Sequence, residues 1–492
     1  MKQSNHRHKA GILLPISALP SRYGIGSLGK EAYRFIDFLS LTGQRYWQIL
    51  PPHPTAYGDS PYQTPSSMAG NPYFIDLETL AREGLLSREE LEENLDTGCR
   101  IDYGNLFERR YRTLRLAHRR FQRDKSYATF SRKNERWLFP YALFMALKVR
   151  YDFAPWTAWE SEHRDFLMAL EGAHYFDEEM SFWYFVQYCF FKEWKALRAY
   201  AREKGIAIVG DMPIYVAHDS VEVWSNPSLF QLDEQGYPTA VAGCPPDAFS
   251  PRGQLWGNPL YRWDVMAEDG FGWWCDRVGQ AFSLFDVLRI DHFRGFSEYF
   301  AIPYGKEDAK EGEWHTAPGK ALFDAIRARF PRAKIIAEDL GHITPDVREL
   351  LSYTGFPGMK VLQFAFDSEE SEYLPRNFES KNCVVYTASH DSPCTASWLR
   401  TLSAETKARF RRECPHRKGQ NRVYDLIEFA LRSPAKFAII PMQDYLSLPD
   451  EKGRMNIPSS REGNWTFRLS PRYNTKALRD KIRSLTERCG RI

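Results

Sequence analysis

The stretch Phe182-Trp-Tyr-Phe-Val-Gln-Tyr-Cys-Phe-Phe-Lys-Glu-Trp194, closed by Gly205 and followed by Ile206-Ala-Ile-Val209-Gly210-Asp211, decides the fold. Its positions 182, 185, 186, 189, 190 and 194 recur at helical spacing, so one face of a helix is apolar. Gly205 is the residue type that ends a helix, and Ile206 to Val209 is then a short apolar run leading into an acid. A helix feeding a short buried run is the repeating unit of an α/β protein. Similar runs lie on either side, at Ile12 to Leu14, Trp47 to Leu50, Val287 to Ile290, Ile335 to Ala337, Lys360 to Leu362, Cys383 to Tyr386 and Phe437 to Ile440. Eight runs with helical segments between them predict a (β/α)8 TIM barrel. Periodicity alone does not separate such runs from buried helix, and the flanking patterns are what favour strands.

The 492 residues fit one barrel enlarged by insertions. Residues 51 to 205 and 211 to 286 are too long for simple crossovers, so residues 1–492 are expected to form a single catalytic barrel with these insertions as subdomains around its rim. The first carries helical patterning around Arg109 to Phe121 and Pro140 to Arg150. The second reads as loop, with Asn226-Pro227, Pro245-Pro246 and Asn258-Pro259.

A net charge of +3 offers no footprint for nucleic acid and no patch for a membrane surface, so a neutral partner is expected. Neither a secretory leader nor an apolar run of spanning length is present, which points to a cytoplasmic protein. The eight cysteines are scattered, without the paired spacing of a zinc site, and read as reduced thiols; no metal and no cofactor is expected. Aromatic residues reach 15%, and several stand in Gly/Pro/Asn-rich loops where a ring suits stacking on a sugar.

Barrel active sites lie at the carboxyl ends of the strands. Four runs lead there into reactive side chains: Gly210-Asp211, Arg289-Ile-Asp291-His292, Ala337-Glu338-Asp339 and Ser389-His390-Asp391. Carboxylates gathered at one rim suit glycoside chemistry, which needs a nucleophile, an acid/base and a group that stabilises oxocarbenium charge. Arg289 and Asp291, two apart on a strand, project to one face, so a permanent cation favours the ionised acid. Glu338, following Ile335-Ile-Ala337, is expected to be desolvated and protonated, with Asp339 turned to the other side. The bland reading of each acid is a helix cap or an arginine partner.

Two motifs mislead. Gly24-Ile-Gly-Ser-Leu-Gly29 matches a dinucleotide loop, but the following strand runs into Gln48-Ile-Leu-Pro-Pro52 rather than ending in the acid that binds ribose. Ser389-His390-Asp391 has triad residue types, yet neighbours in an extended segment face opposite ways and do not form the relay.

At Arg289-Ile-Asp-His-Phe-Arg-Gly295, Ile336-Ala-Glu-Asp-Leu-Gly341 and Tyr386-Thr-Ala-Ser-His-Asp391 the chain resembles the 4-α-glucanotransferases (amylomaltases or disproportionating enzymes) of the α-amylase clan. The resemblance continues through Tyr57-Gly-Asp-Ser-Pro-Tyr-Gln63, Gly210-Asp-Met-Pro-Ile-Tyr-Val-Ala217, Gly253-Gln-Leu-Trp-Gly-Asn-Pro-Leu-Tyr261, Arg454-Met-Asn-Ile-Pro458 and Gly463-Asn-Trp465. It implies transfer of α-1,4-glucan segments by retaining double displacement, with Asp291 as nucleophile, Glu338 as acid/base and Asp391 as transition-state stabiliser. It further implies that Tyr57, Ser60, Tyr62, Asp211, Asp247, Trp256, Arg289, His390 and Asn464 contact the glucan. Ser60 and Tyr62 also fit a plain structural turn. The chain departs from the family at Ser392-Pro393-Cys394, at Ala248 and at Ser459-Ser460. An α-amylase-like hydrolase and a catalytically silent glucan-binding barrel are the alternatives; maltotriose incubation separates them.

Overall fold

The computed structural model describes residues 8–56, 58–246, 251–341, 343–458, 460 and 462–492. Its strands are β1 (Lys9–Leu13), β2 (Tyr46–Gln48), β3 (Ala207–Met212), β4 (Ala240–Cys244), β5 (Gln254–Pro259), β6 (Val287–Ile290), β7 (Glu298–Pro303), β8 (Glu313–Thr316), β9 (Ile335–Ala337), β10 (Gly358–Val361), β11 (Cys383–Tyr386) and β12 (Phe437–Pro441). Eight of them form one parallel sheet in the order β10-β11-β12-β1-β2-β3-β6-β9. The amide of Ala337 donates to the carbonyl of Pro357 at 3.0 Å, bringing the last strand to the first. The result is a (β/α)8 TIM barrel, and all eight expected runs are its strands.

The strand sequences sort by parity into two cores. Leu13, Val209, Val287, Ile336, Met359, Val384, Tyr386 and Ile439 fill the lumen. Their neighbours, including Ile12, Ile208, Leu288, Ile335 and Val385, join the larger core between strands and helices. The lumen parity, carried two residues onward, reaches Asp211 from Val209, Arg289 from Val287 and Glu338 from Ile336, and a further two residues take it from Arg289 to Asp291. The inward face of the barrel therefore becomes the site without any change of strand direction. Gly210 is needed for contact of the opposite kind, because a side chain there would stand 2.1 Å from the Phe285 ring that packs on it.

The helix Asp177–Glu203 buries the stripe at 182, 185, 186, 189, 190 and 194, and Gly205 follows at φ 72°. It packs on β3 and on the helix Lys30–Leu41, so it is the crossover helix of the barrel, preceded by the helices Tyr103–Arg120 and Lys125–Arg150. The second long segment is not loop: β4 and β5 pair with each other, and β4 pairs with β7, in an antiparallel sheet ordered β5-β4-β7-β8. Gly24 to Gly29 is a structural turn, in which a side chain on Gly26 would strike the carbonyl of Ile16.

Candidate active site

Arg289 organises the rim. It is 4% exposed, and its Nη1 lies 2.7 Å from both oxygens of the fully buried Asp211. Its Nη2 reaches Asp291 Oδ1 at 2.9 Å. One buried guanidinium thus joins an acid that never meets solvent to one whose side chain keeps 29% of its surface open to the cleft. Removing either partner would leave a charge uncompensated, so the pairing fixes geometry more than it adds stability.

Glu338 follows β9 and is held by two backbone amides: Leu340 N donates to Oε1 at 2.9 Å, and His292 N donates to Oε2 at 2.7 Å. The second donor depends on a special backbone, since His292 sits at φ 50°, in the left-handed region. Burial pushes the Asp291 and Glu338 carboxyls above their ordinary values, and their mutual repulsion works in the same direction for Asp291. With the guanidinium on Asp291, charge is best placed there and the proton on Glu338. Asp339 faces away: its Oδ1 accepts from Met359 N at 2.6 Å, tying β9 to β10.

Asp391 lies beyond β11. Burial opposes its charge, but the His390 imidazole and the Asn456 amide hold its carboxyl down to about 2. His390 Nε2 is 3.2 Å from Oδ2, and Asn456 Nδ2 donates to Oδ1 at 2.6 Å. Burial likewise works against a charged His390, yet Asp391 raises its pKa above the ordinary value. Tyr62 links the two halves of the site: its hydroxyl donates to Asp211 Oδ2 at 2.7 Å and lies 2.9 Å from His390 Nε2. The Tyr62 and His390 rings stack with centroids 5.4 Å apart, and Trp465 closes on both.

Among the remaining expected residues, Ser60 accepts from Tyr62 N at 3.2 Å and so shapes the turn that delivers the Tyr62 ring. Trp256, on β5, sets its ring edge-on to His292 at 4.7 Å, with Nε1 donating to Gln254. Asn464 spends its amide on its own loop, accepting from Ile457 N and donating to the Ile457 and Ser460 carbonyls. Tyr57, Asp247, Ala248 and Ser459 lie outside the described residues. The unusual Ser392-Pro393-Cys394 segment is well tied: Ser389 N donates to Ser392 Oγ, Gln363 to the Pro393 carbonyl, and Cys394 N to Asp450. Neither Asn456 nor the His292 amide behind Glu338 is marked as a site residue by residue type or spacing. Asn456 lies in the quoted Arg454–Pro458 motif, which was the available signal.

A barrel rim that gathers Asp291 and Asp211 on one arginine, Glu338 on two amides and Asp391 beside an imidazole suits an enzyme of carbohydrate bond exchange. Relatives of known sequence and structure narrow that class. A family model described as 4-alpha-glucanotransferase matches residues 14–474. A 4-alpha-glucanotransferase of Clostridium butyricum is 44% identical over 97% of this chain and 99% of its own, and one of Thermus thermophilus is 44% identical over 98% and 99%. The amylomaltase of Streptococcus agalactiae, solved in complex with acarbose, superposes with a TM-score of 0.95 at 38% identity, covering 99% of this chain and all of that one. The chain belongs to the 4-alpha-glucanotransferase family. It is accordingly a glucan-transferring enzyme, and the hydrolase alternative is not favoured.

Proposed function

We propose that the chain transfers α-1,4-glucan segments from a maltodextrin donor to the 4-hydroxyl of an acceptor glucan or glucose, through a covalent glycosyl ester on Asp291. The observation that carries this reading is the Arg289 guanidinium shared between buried Asp211 and cleft-facing Asp291. It supports an ionised Asp291 beside a protonated Glu338. Glu338 gives its proton to the leaving 4-oxygen as Asp291 attacks the anomeric carbon, then takes the proton of the incoming hydroxyl as the ester is displaced. Asp391, held ionised, opposes the positive charge that develops on the ring. Tyr62 offers its ring to the glucose, and His390 and Arg289 bond its hydroxyls.

The substrates we assign are maltodextrins derived from glycogen or starch in the cytoplasm, a compartment that suits a chain in which no disulfide forms among the described residues. The two insertions serve as the wall and roof of the glucan cleft. No described helix is long and apolar enough to cross a membrane.

Maltotriose incubation tests the reading: transfer yields a ladder of longer and shorter products plus glucose. Asp291→Asn is expected to abolish the ladder while oligosaccharide still binds; a folded variant with near-normal transfer overturns the assignment. Glu338→Gln is expected to slow maltodextrin turnover by about 10²–10⁴-fold. It should still accumulate an adduct on Asp291 from a donor whose leaving group needs no proton, and absence of that adduct despite binding refutes the acid/base role.

A further inference from the structure

At the pole of the barrel opposite the acids lies a cavity of about 830 Å³, within the range of small-ligand sites. It is built where strands begin: Lys9 opens β1, Tyr46 opens β2, Val287 opens β6, Ile335 opens β9 and Phe437 opens β12, and all five line it. From this lower mouth it runs outward under the helix Gly319–Arg329, whose Phe323 and Ile326 supply apolar wall. The charged residues lining it are Lys9, Arg327, Lys334 and Lys436, with no acid among them. Arg327 is offset by Asp324 at 3.5 Å. Among the described residues the ammonium groups of Lys9, Lys334 and Lys436 have no carboxylate partner, and the Tyr46 hydroxyl has no hydrogen-bond partner.

Barrel bottoms are ordinarily closed by packed side chains, which serve stability. Here, among the described residues, apolar wall and positive charge without carboxylate partners meet in an open space on the side away from the glucan cleft. A neutral glucan has no use for three ammonium groups and little for the Phe323 and Ile326 wall. We propose that this lower mouth is a binding site for a small amphipathic anion: a carboxylate, sulfonate or phosphate head on an aliphatic or aromatic body. The head takes Lys9, Lys334 and Lys436 with a bond from Tyr46, and the body lies on Val287, Phe323 and Ile326. The site touches the enzyme's chemistry only through shared strands, since Val287 stands two residues before Arg289 and Ile336 two before Glu338.

The experiment titrates the full-length enzyme with anilinonaphthalene sulfonate, following dye fluorescence, alongside Lys334→Glu/Lys436→Glu and, as a variant that keeps charge but fills space, Ala333→Trp. Circular dichroism and maltotriose transfer confirm that each is folded; the milder Lys334→Gln/Lys436→Gln pair replaces the first if it is not. The expected result is saturable binding, weakened at least about tenfold in both variants, competed by octanoate but not by octanol, and indifferent to saturating maltoheptaose. Unchanged dye affinity in the folded variants, equal competition by octanol, displacement by maltoheptaose, or absence of saturable binding each overturns the proposal.

Discussion

At the scale of single residues, the site divides its protons unevenly. Asp391 at about 2 is ionised at any working pH, whereas the Asp291 and Glu338 carboxyls are raised by burial. On the proposed roles, the acid limb of kcat/KM is expected to report the raised pair, and activity is expected to fall at alkaline pH as Glu338 loses its proton. Asn456→Ala removes a 2.6 Å bond to Asp391, a hydrogen bond to a charged group worth about 1.5–3 kcal/mol. The expected outcome is a kcat lower by about ten- to a hundredfold with the acid-limb midpoint unmoved, because Asp391 still titrates below the pair. A midpoint that rises with the substitution would mean that Asp391 controls that limb. Residue types and parity made most of this legible in advance: Arg289 beside Asp291, and Glu338 opposed to Asp339, follow from alternation along a strand. The Tyr62 bridge to Asp211 and the His292 amide behind Glu338 were not legible, since one spans 149 positions and the other needs a left-handed backbone that no residue pattern announces.

At the scale of elements, β5 carries the test of water exclusion. Trp256 covers His292, and opening that contact exposes the cleft beside the residue whose amide holds Glu338. Retaining hydrolases and transferases share their first step, so the difference lies in what reaches the ester next. Trp256→Ala is expected to lower the ratio of glucose transfer to net hydrolysis with the thermal midpoint nearly preserved, because the ring is only partly buried. A fallen midpoint with an unchanged ratio would reduce Trp256 to packing. The barrel strands were readable because both their faces are buried, which makes each a continuous apolar run. The antiparallel sheet was not readable: β8 is exposed along its whole length, β5 is an edge strand whose first four residues stay partly open to solvent, and β4 contains Gly243. Strands of that kind carry neither alternation nor a run, and Pro245-Pro246 and Asn258-Pro259 beside them argue for loop.

At the scale of the whole molecule, one side chain far along the sequence ties neighbouring strand starts together. Arg491 is fully buried, and its guanidinium donates to the carbonyls of Leu431 and Ser433, just ahead of β12, and to that of Lys9 at the start of β1. Arg491→Ala removes these buried bonds and their charged donor at a cost of about 1–3 kcal/mol. The expected outcome is a thermal midpoint lower by several degrees, with transfer per folded molecule unchanged at moderate temperature; loss of activity ahead of unfolding would show that the pole opposite the acids governs the rim. The antiparallel sheet has a different consequence, for the order in which the chain folds. Its central pair, β4 and β7, comes from either side of β6, with Ala240 opposite Pro303 and Gly243 opposite Phe300. That ladder closes a loop of chain containing β6, so the strand carrying Arg289 and leading to Asp291 is enclosed, along the chain, by that pairing. In pulsed hydrogen exchange, the amides of β4, β6 and β7 are expected to become protected in a single kinetic phase, as one cooperative unit.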